Sequence, residues 1–229
     1  MSYAIKTEDL WMVYRMGDLE VEALKGVDIE IEEGEFVSVM GPSGSGKSTL
    51  MHMMGVLDRP TSGEVWIGGT NVEELSDSVK ARFRLERIGF VFQFYSLLSG
   101  FTALENVYLP LIQTDIPKEE EAMERSREAL ETVGLSDRMN HKPKELSGGQ
   151  RQRVAIARAV ANDPDIVLAD EATSELDTET SAEIMEMFRE ISEDGQTVVT
   201  VNHEKEQGKK AERTIWLEDG EIEENPSSF

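Results

Sequence analysis

At 229 residues, 39% of them apolar, the chain can bury the core of one globular domain with a smaller subdomain packed on it, and is too short for two full domains. Its 46 acidic residues against 23 basic ones leave a net charge of -23, which disfavours DNA, RNA and bare anionic lipid as partners and makes a protein partner the route to any membrane. With no cysteine it can form no disulfide or thiolate site; no run approaches the roughly 18 apolar residues of a spanning helix, and MSYAIKTEDL lacks a leader's basic-then-apolar pattern, so a soluble, cytoplasmic protein is expected.

From the N-terminus, segments such as VDIEIEEGEF and GEVWIGG alternate apolar and polar residues between glycine turns, as antiparallel strands do. Short apolar runs at 36–40, 88–92, 166–169 and 197–201 read as buried strands, with helical patterns between several of them, and predict an α/β layer structure. Between 96 and 145 the strand signals fade. There PKEEEAMERSREALETVG sets Ala122, Met123, Ala129, Leu130 and Val133 at helical spacing among charges, which predicts an inserted helical subdomain. The acidic run 119–121 is expected in a first helical turn, where carboxylates are favoured. Near the end TIWLEDGEIEE predicts a hairpin turning at Asp219 and Gly220, followed by a polar tail expected to be disordered.

GPSGSGKS at 41–48 matches the GxxxxGK[ST] loop in full and lies where that loop works, after a buried strand and before a helix. Gly41, Gly44 and Gly46 let the backbone curl so that successive amides face a phosphate, and the helix adds its positive N-terminal end. Lys47 is expected to put a point charge on the β and γ phosphates. Ser48 is the expected Mg²⁺ ligand, Thr49 a further phosphate contact, and Ser43 and Ser45 complete the nucleotide-binding set. At 166–171, IVLADE runs an apolar strand into two carboxylates. Neighbouring side chains on an extended strand point opposite ways, so Asp170 is expected on the metal and Glu171 on the attacking water. Alone, such a pair reads as capping acids of a following helix; the phosphate loop upstream turns the reading to catalysis.

Beyond these two motifs come VFQ ending at Gln93, LSGGQRQRVAIARA at 146–159, SELD ending at Asp177, and His203 after a strand. Taken in this order they resemble the ATP-binding cassette of ABC transporters over essentially the whole chain. The resemblance implies an α/β fold with a P-loop NTPase (RecA-like) core, an N-terminal antiparallel β subdomain and an inserted α-helical subdomain. One domain would span 1–229: 1–95 and 154–222 form the β subdomain and core, 96–153 the helical signature subdomain, and 223–229 a tail. ATP and Mg²⁺ are the implied cofactors and ATP hydrolysis the implied activity.

Residue roles follow from the same resemblance. Tyr14 corresponds to the aromatic that stacks on adenine, with edge-strand packing and neighbouring Trp11 as competing readings. Gln93 senses Mg²⁺ and the attacking water, His203 is the switch histidine at the γ-phosphate, and Asp177 organises a dimer seam. Ser147, Gly148, Gly149 and Gln150 open a helix as a second anion cradle, although SGGQ in isolation reads as an ordinary capping loop. In the family, the two cradles that face one nucleotide belong to different subunits, which implies an ATP-dependent, head-to-tail homodimer. His52 and His141 match no motif and read as a helix and a loop residue.

Three positions depart from the common pattern: Ala172 where proline is usual, Glu175 where small or neutral residues are usual, and Asn202 where threonine is usual. SLLSGFTALENVYLPL at 96–111, GVLDRPTSGEVWIGG and HKPKELSGGQ are similar to the LolD/MacB branch of lipoprotein release and macrolide export. That branch implies an integral-membrane permease partner whose cytoplasmic helix sits in a groove bordered by 94–104, and a peripheral place on the inner face of the cell membrane. Neither nucleic acid nor direct lipid binding is expected. The alternatives are a non-transport ABC ATPase acting on DNA or ribosomes, against which stand the single cassette and the absence of a basic face, and a low-turnover ATP clamp.

The acid excess also suits a salt-rich cytoplasm. ATP turnover is expected to hold or rise as KCl goes from about 0.1 M toward molar levels, and a steady fall in phosphate release over that range removes the reading.

Overall fold

The computed structural model describes residues 3–17, 19–114, 118–203 and 205–223. Residues 224–229 of the expected tail lie outside them. The first antiparallel strands, β1 (Tyr3–Met16) and β2 (Leu19–Glu32), join β4 (Ser62–Ile67) and β5 (Thr70–Asn71) in a four-stranded sheet of order β2-β1-β4-β5. On β2 the buried residues Leu24, Val27, Ile29 and Ile31 mark one face turned to the core while charged neighbours face solvent.

The second sheet has six strands in the order β10-β9-β3-β8-β7-β6. They are β3 (Phe36–Met40), β6 (Ile88–Phe92), β7 (Ile166–Asp170), β8 (Thr197–Val201), β9 (Arg213–Glu218) and β10 (Glu221–Glu223). All but β10 pair in parallel. Every residue of β3 and β8 is buried, which explains their lack of apolar–polar alternation: a parallel sheet is covered on both faces, and the polar residues within them are the small Ser38, Thr197 and Thr200. Parallel pairing has a second consequence. The carboxyl ends of β3, β8, β7 and β6 lie along one edge, and the chain leaves that edge at 41, 202, 171 and 93.

α1 (Lys47–Met54) follows β3 and packs on β2, β4, β7 and β8, so that one core lies between the two sheets. A second core covers the other face of the six-stranded sheet. It takes in α3 (Ala103–Leu111), α4 (Glu119–Thr132), α5 (Gly148–Val160) and α6 (Thr178–Glu193), with Phe188, Ile156 and Leu130 fully buried. The acidic run 119–121 occupies the first turn of α4. Asp219 (φ +48) and Gly220 (φ +84) make the turn between β9 and β10. The expected limit of the helical subdomain at 153 falls inside α5, which packs on α3, α4 and β6. Remaining helices are α2 (Asp77–Arg87) before β6 and the single turn α7 (Lys205–Gly208) after β8. No helix of the described residues is long and apolar enough to cross a membrane.

α5 approaches the sheet closely at Gly89 of β6, where an added Cβ would stand 2.4 Å from the Ala159 carbonyl oxygen. Gly89→Ala is expected to cost about 1–3 kcal/mol through overpacking, read as a lower urea midpoint at unchanged slope.

Candidate active site

The phosphate loop leaves β3 through a gap between the two sheets. A Cβ on Gly41 would lie 1.9 Å from the Leu217 carbonyl oxygen of β9, and one on Gly46 (φ +103) would lie 2.3 Å from the Ala23 carbonyl oxygen of β2. Only glycine fits either place. The β9–β10 turn braces the loop from outside: Gly220 N–H donates to Ser45 O (3.0 Å), and Lys25 N–H to Gly220 O (2.9 Å). Ser43 and Gly44 face solvent, and the Ser45 hydroxyl is buried with no hydrogen-bond partner.

Lys47 opens α1 only 6% exposed, its ammonium donating to the Gly41 and Pro42 carbonyls at 2.8 Å each. Burial pulls this ammonium below the usual lysine range, against the attraction of Glu171 and Asp170. Ser48 donates to Asp170 Oδ1 at 3.4 Å, and Thr49 lies half-buried beside it. Burial, reinforced by Glu171, pushes the Asp170 carboxyl above its usual range; His52, Ser48 and Lys47 oppose the shift.

The expectation that Asp170 and Glu171 share an extended strand is corrected by the structure. β7 ends at Asp170, and Glu171 turns into the left-handed region (φ +44), a conformation a non-glycine residue holds only under constraint from its surroundings. That constraint is visible: Glu171 N–H donates to Val201 O (3.0 Å), and its carbonyl accepts from Ser174 N–H (3.1 Å) and Oγ (3.0 Å). The turn brings Glu171 Oε1 to 3.6 Å from His203 Nδ1. Ala172 is buried in the second core, and Glu175 is exposed. Asn202 replaces a hydroxyl with an amide whose Nδ2 donates to Ser38 Oγ (3.1 Å) and Thr200 Oγ1 (2.9 Å), tying the end of β8 to β3. Gln93 sits half-buried in the turn after β6, on the same edge.

Ser147 caps α5, accepting from Gln150 N–H (3.2 Å), while Gln150 Oε1 accepts from Ser147 N–H (3.0 Å). Gly148 and Gly149 form its first turn, and a Cβ on Gly149 would lie 2.5 Å from Thr180 Cγ2. Asp177 caps α6 through Glu179 N–H, Thr180 N–H and Thr180 Oγ1 at 3.1, 3.0 and 2.7 Å, bonds that hold its carboxyl below the usual range. The two helix N-termini belong to different packing units, since α1 sits between the sheets and α5 packs on α3, α4, β6 and α6. Of the two candidate aromatics, Trp11 donates its indole N–H to Asp9 (2.8 Å) against Gly26 of β2. Tyr14 pairs with Val21, two residues from the Ala23 that abuts Gly46.

Two residues near this site were not singled out by sequence reasoning. His52 lies one turn along α1 from Ser48 and acts electrostatically on Asp170, a relation legible in the i, i+4 spacing. Gln207 of α7 contacts Thr173 and lines the cleft of Glu171 and His203; nothing in its sequence neighbourhood marks it. His141 lies in the loop before the signature segment. The residues present fit a magnesium nucleotide: a glycine-lined cradle, a buried ammonium, an unpartnered hydroxyl at Ser45, and oxygen donors at Ser48 and Asp170. Among the described residues no group of three or more His, Asp or Glu could hold a metal ion.

The family model described as ABC transporter matches residues 24–174. An uncharacterized ABC transporter ATP-binding protein of Thermotoga maritima is 51% identical over 223 residues, 97% of this chain and 95% of the relative. The lipoprotein-releasing system ATP-binding protein LolD of Geobacter metallireducens is 47% identical, over 97% of this chain and 99% of its own. Among solved structures, the dimeric post-hydrolysis state of the ATP-binding cassette MJ0796 bound to ADP and Pi, a protein of Methanocaldococcus jannaschii, superposes with TM-score 0.88 at 48% identity, covering 96% of both chains.

Because folding favours the neutral form of Asp170, its stability contribution is fullest below the ordinary carboxylate range and is lost as pH rises through the raised value. Asp170→Asn is therefore expected to melt higher than the unsubstituted chain at pH 7, in the absence of nucleotide, with the gap closing toward pH 4, while ATP turnover collapses.

Proposed function

This chain belongs to the ABC transporter family, and from that premise we propose that two copies close head to tail over two ATP molecules to drive a separate integral-membrane permease. It is the ATP-binding, ATP-hydrolysing subunit of such a transporter. One observation carries the dimer reading. The phosphate loop and the signature helix each present a helix N-terminus, yet the two are built into different packing units of one chain. A second copy offers its Ser147, Gly148, Gly149 and Gln150 to the nucleotide held by the first, and the arrangement is isologous.

Within each site the amides of 44–49 and the Lys47 ammonium hold the β and γ phosphates, and Tyr14 stacks on the adenine. Ser48, Asp170 and Gln93 are the residues that would hold Mg²⁺, which would supply positive charge against the negative charge that develops on the phosphates. Glu171, turned toward His203, accepts the proton of the attacking water. As that water bonds to the γ phosphorus, the bond to the β–γ bridging oxygen breaks and ADP leaves. His203 donates to the γ-phosphate, and Asp177 borders the dimer seam. Similarity to LolD supports the lipoprotein-release and macrolide-export branch. Phe94, Leu98 and Phe101, exposed by 72, 51 and 42%, border the face offered to the permease at the cytoplasmic side of the membrane.

Glu171→Gln is expected to lower turnover by at least about a hundredfold and, with ATP, to move from monomer to dimer by light scattering. Ser147→Arg in the same background should abolish the dimer and spare ATP binding. A protein that binds ATP yet stays monomeric under both conditions overturns the closure.

A further inference from the structure

The cleft of Glu171 and His203 is also lined by Thr173, Ser174, Asn202 and Gln207. Its space of ≈ 10 Å³ is about what one water needs, so a small shift of either wall changes what fits there. Both walls are turns just beyond a strand end. The Glu171 wall is anchored on one side by its N–H, which donates to Val201 O (3.0 Å). On the other side the left-handed turn runs through Ala172, which offers no polar side chain, to the buried Thr173. The Thr173 carbonyl accepts from Leu176 N–H (3.1 Å) and Ser181 Oγ (3.3 Å), both a little further along the same segment. Its hydroxyl leaves that segment and donates to Gln207 Oε1, 34 residues away.

Gln207 belongs to α7, the single turn that follows His203. α7 sits on β3, with Gly208 so close to the strand's end that an added Cβ would stand 2.6 Å from Met40 Sδ. The Gln207 carbonyl accepts from Lys210 N–H (3.1 Å). Gln207 is thus seated against the strand that delivers the phosphate loop, while its side chain reaches the turn that delivers Glu171.

We propose that Gln207 is a positioning residue for hydrolysis: by holding the Thr173 hydroxyl it keeps Glu171 at the separation from His203 at which it takes the proton of the attacking water. It acts through Thr173 and the Glu171 backbone and not on the water itself. The proposal rests on the reading of Glu171 as the base and adds the side chain that aims it. A buried hydroxyl deprived of its partner turns to another, and the turn moves with it. A displacement of about 1 Å at a reacting group costs on the order of a hundredfold in rate.

The test is steady-state ATP turnover by the full chain. Gln207→Met, which keeps the length of the side chain and removes its oxygen, should lower kcat at least about tenfold and leave KM for ATP within about twofold, since 41–49 hold the nucleotide. Thr173→Val should lose as much, and the pair Thr173→Val with Gln207→Met no more than either alone. Thr173→Ser, which keeps the hydroxyl, should recover most of the turnover lost in Thr173→Val. In the Glu171→Gln background Gln207→Met should remove less than about twofold more, because no base is left to aim. A kcat for Gln207→Met within about twofold of the unsubstituted chain, losses that multiply in the pair, or an undiminished further loss in Glu171→Gln overturns the proposal. If Glu171→Gln itself hydrolyses ATP at the unsubstituted rate, it is the reading of Glu171 as the base that fails, and the proposal falls with it.

Discussion

The backbone of the phosphate loop has no room on either side, and the rest of the molecule is arranged around that fact. Leu217 of one sheet and Ala23 of the other close on Gly41 and Gly46 so tightly that a single carbon at either position would overlap a carbonyl oxygen. Both sheets must therefore converge at this loop. The Asp219–Gly220 turn locks the convergence by bonding to Ser45 on one side and Lys25 on the other. Lys47, its ammonium folded back on the Gly41 and Pro42 carbonyls, holds the loop curled from within. A residue thought of as a ligand for phosphate is thus also an internal brace of the cradle.

At the carboxyl edge of the parallel sheet, local stability gives way to chemistry. Lys47 and Asp170 are both shifted against their charged forms by burial, and Glu171 is bent into a backbone conformation that glycine alone tolerates freely. The first two are opposed by neighbouring charges of the opposite sign, and the Glu171 backbone is held by its hydrogen bonds to Val201 and Ser174. Asn202 shows how such a site is kept rigid. Its amide binds two hydroxyls on neighbouring strands, and this fixes the end of β8 from which His203 projects.

Charge elsewhere is interspersed, with ion pairs along the outer helices. Carboxylates cover the outer helices, where Glu119, Glu120 and Glu121 favour the first turn of α4, while Arg189 pairs with Glu186 and Glu193 on α6. A groove beside Gln93 is lined mainly by apolar residues together with Arg82, Arg84 and Arg158.

Much of this was written in local sequence. The 41–48 loop needs glycines at fixed spacing whatever surrounds it, unbroken apolar runs imply strands buried on both faces, and Asp219–Gly220 names its own turn, because each of these rests on backbone constraints within a few residues. The sequence by itself determined the α/β class, the nucleotide loop, the acidic pair and the capped signature helix. Tertiary structure alone decided how they meet. That Glu171 leaves its strand, that α5 packs on β6 and that Gln207 joins the site depend on contacts between segments far apart in the chain. Periodicity and spacing describe how a segment treats its own neighbours; which distant segment covers it is set by the packing of the whole.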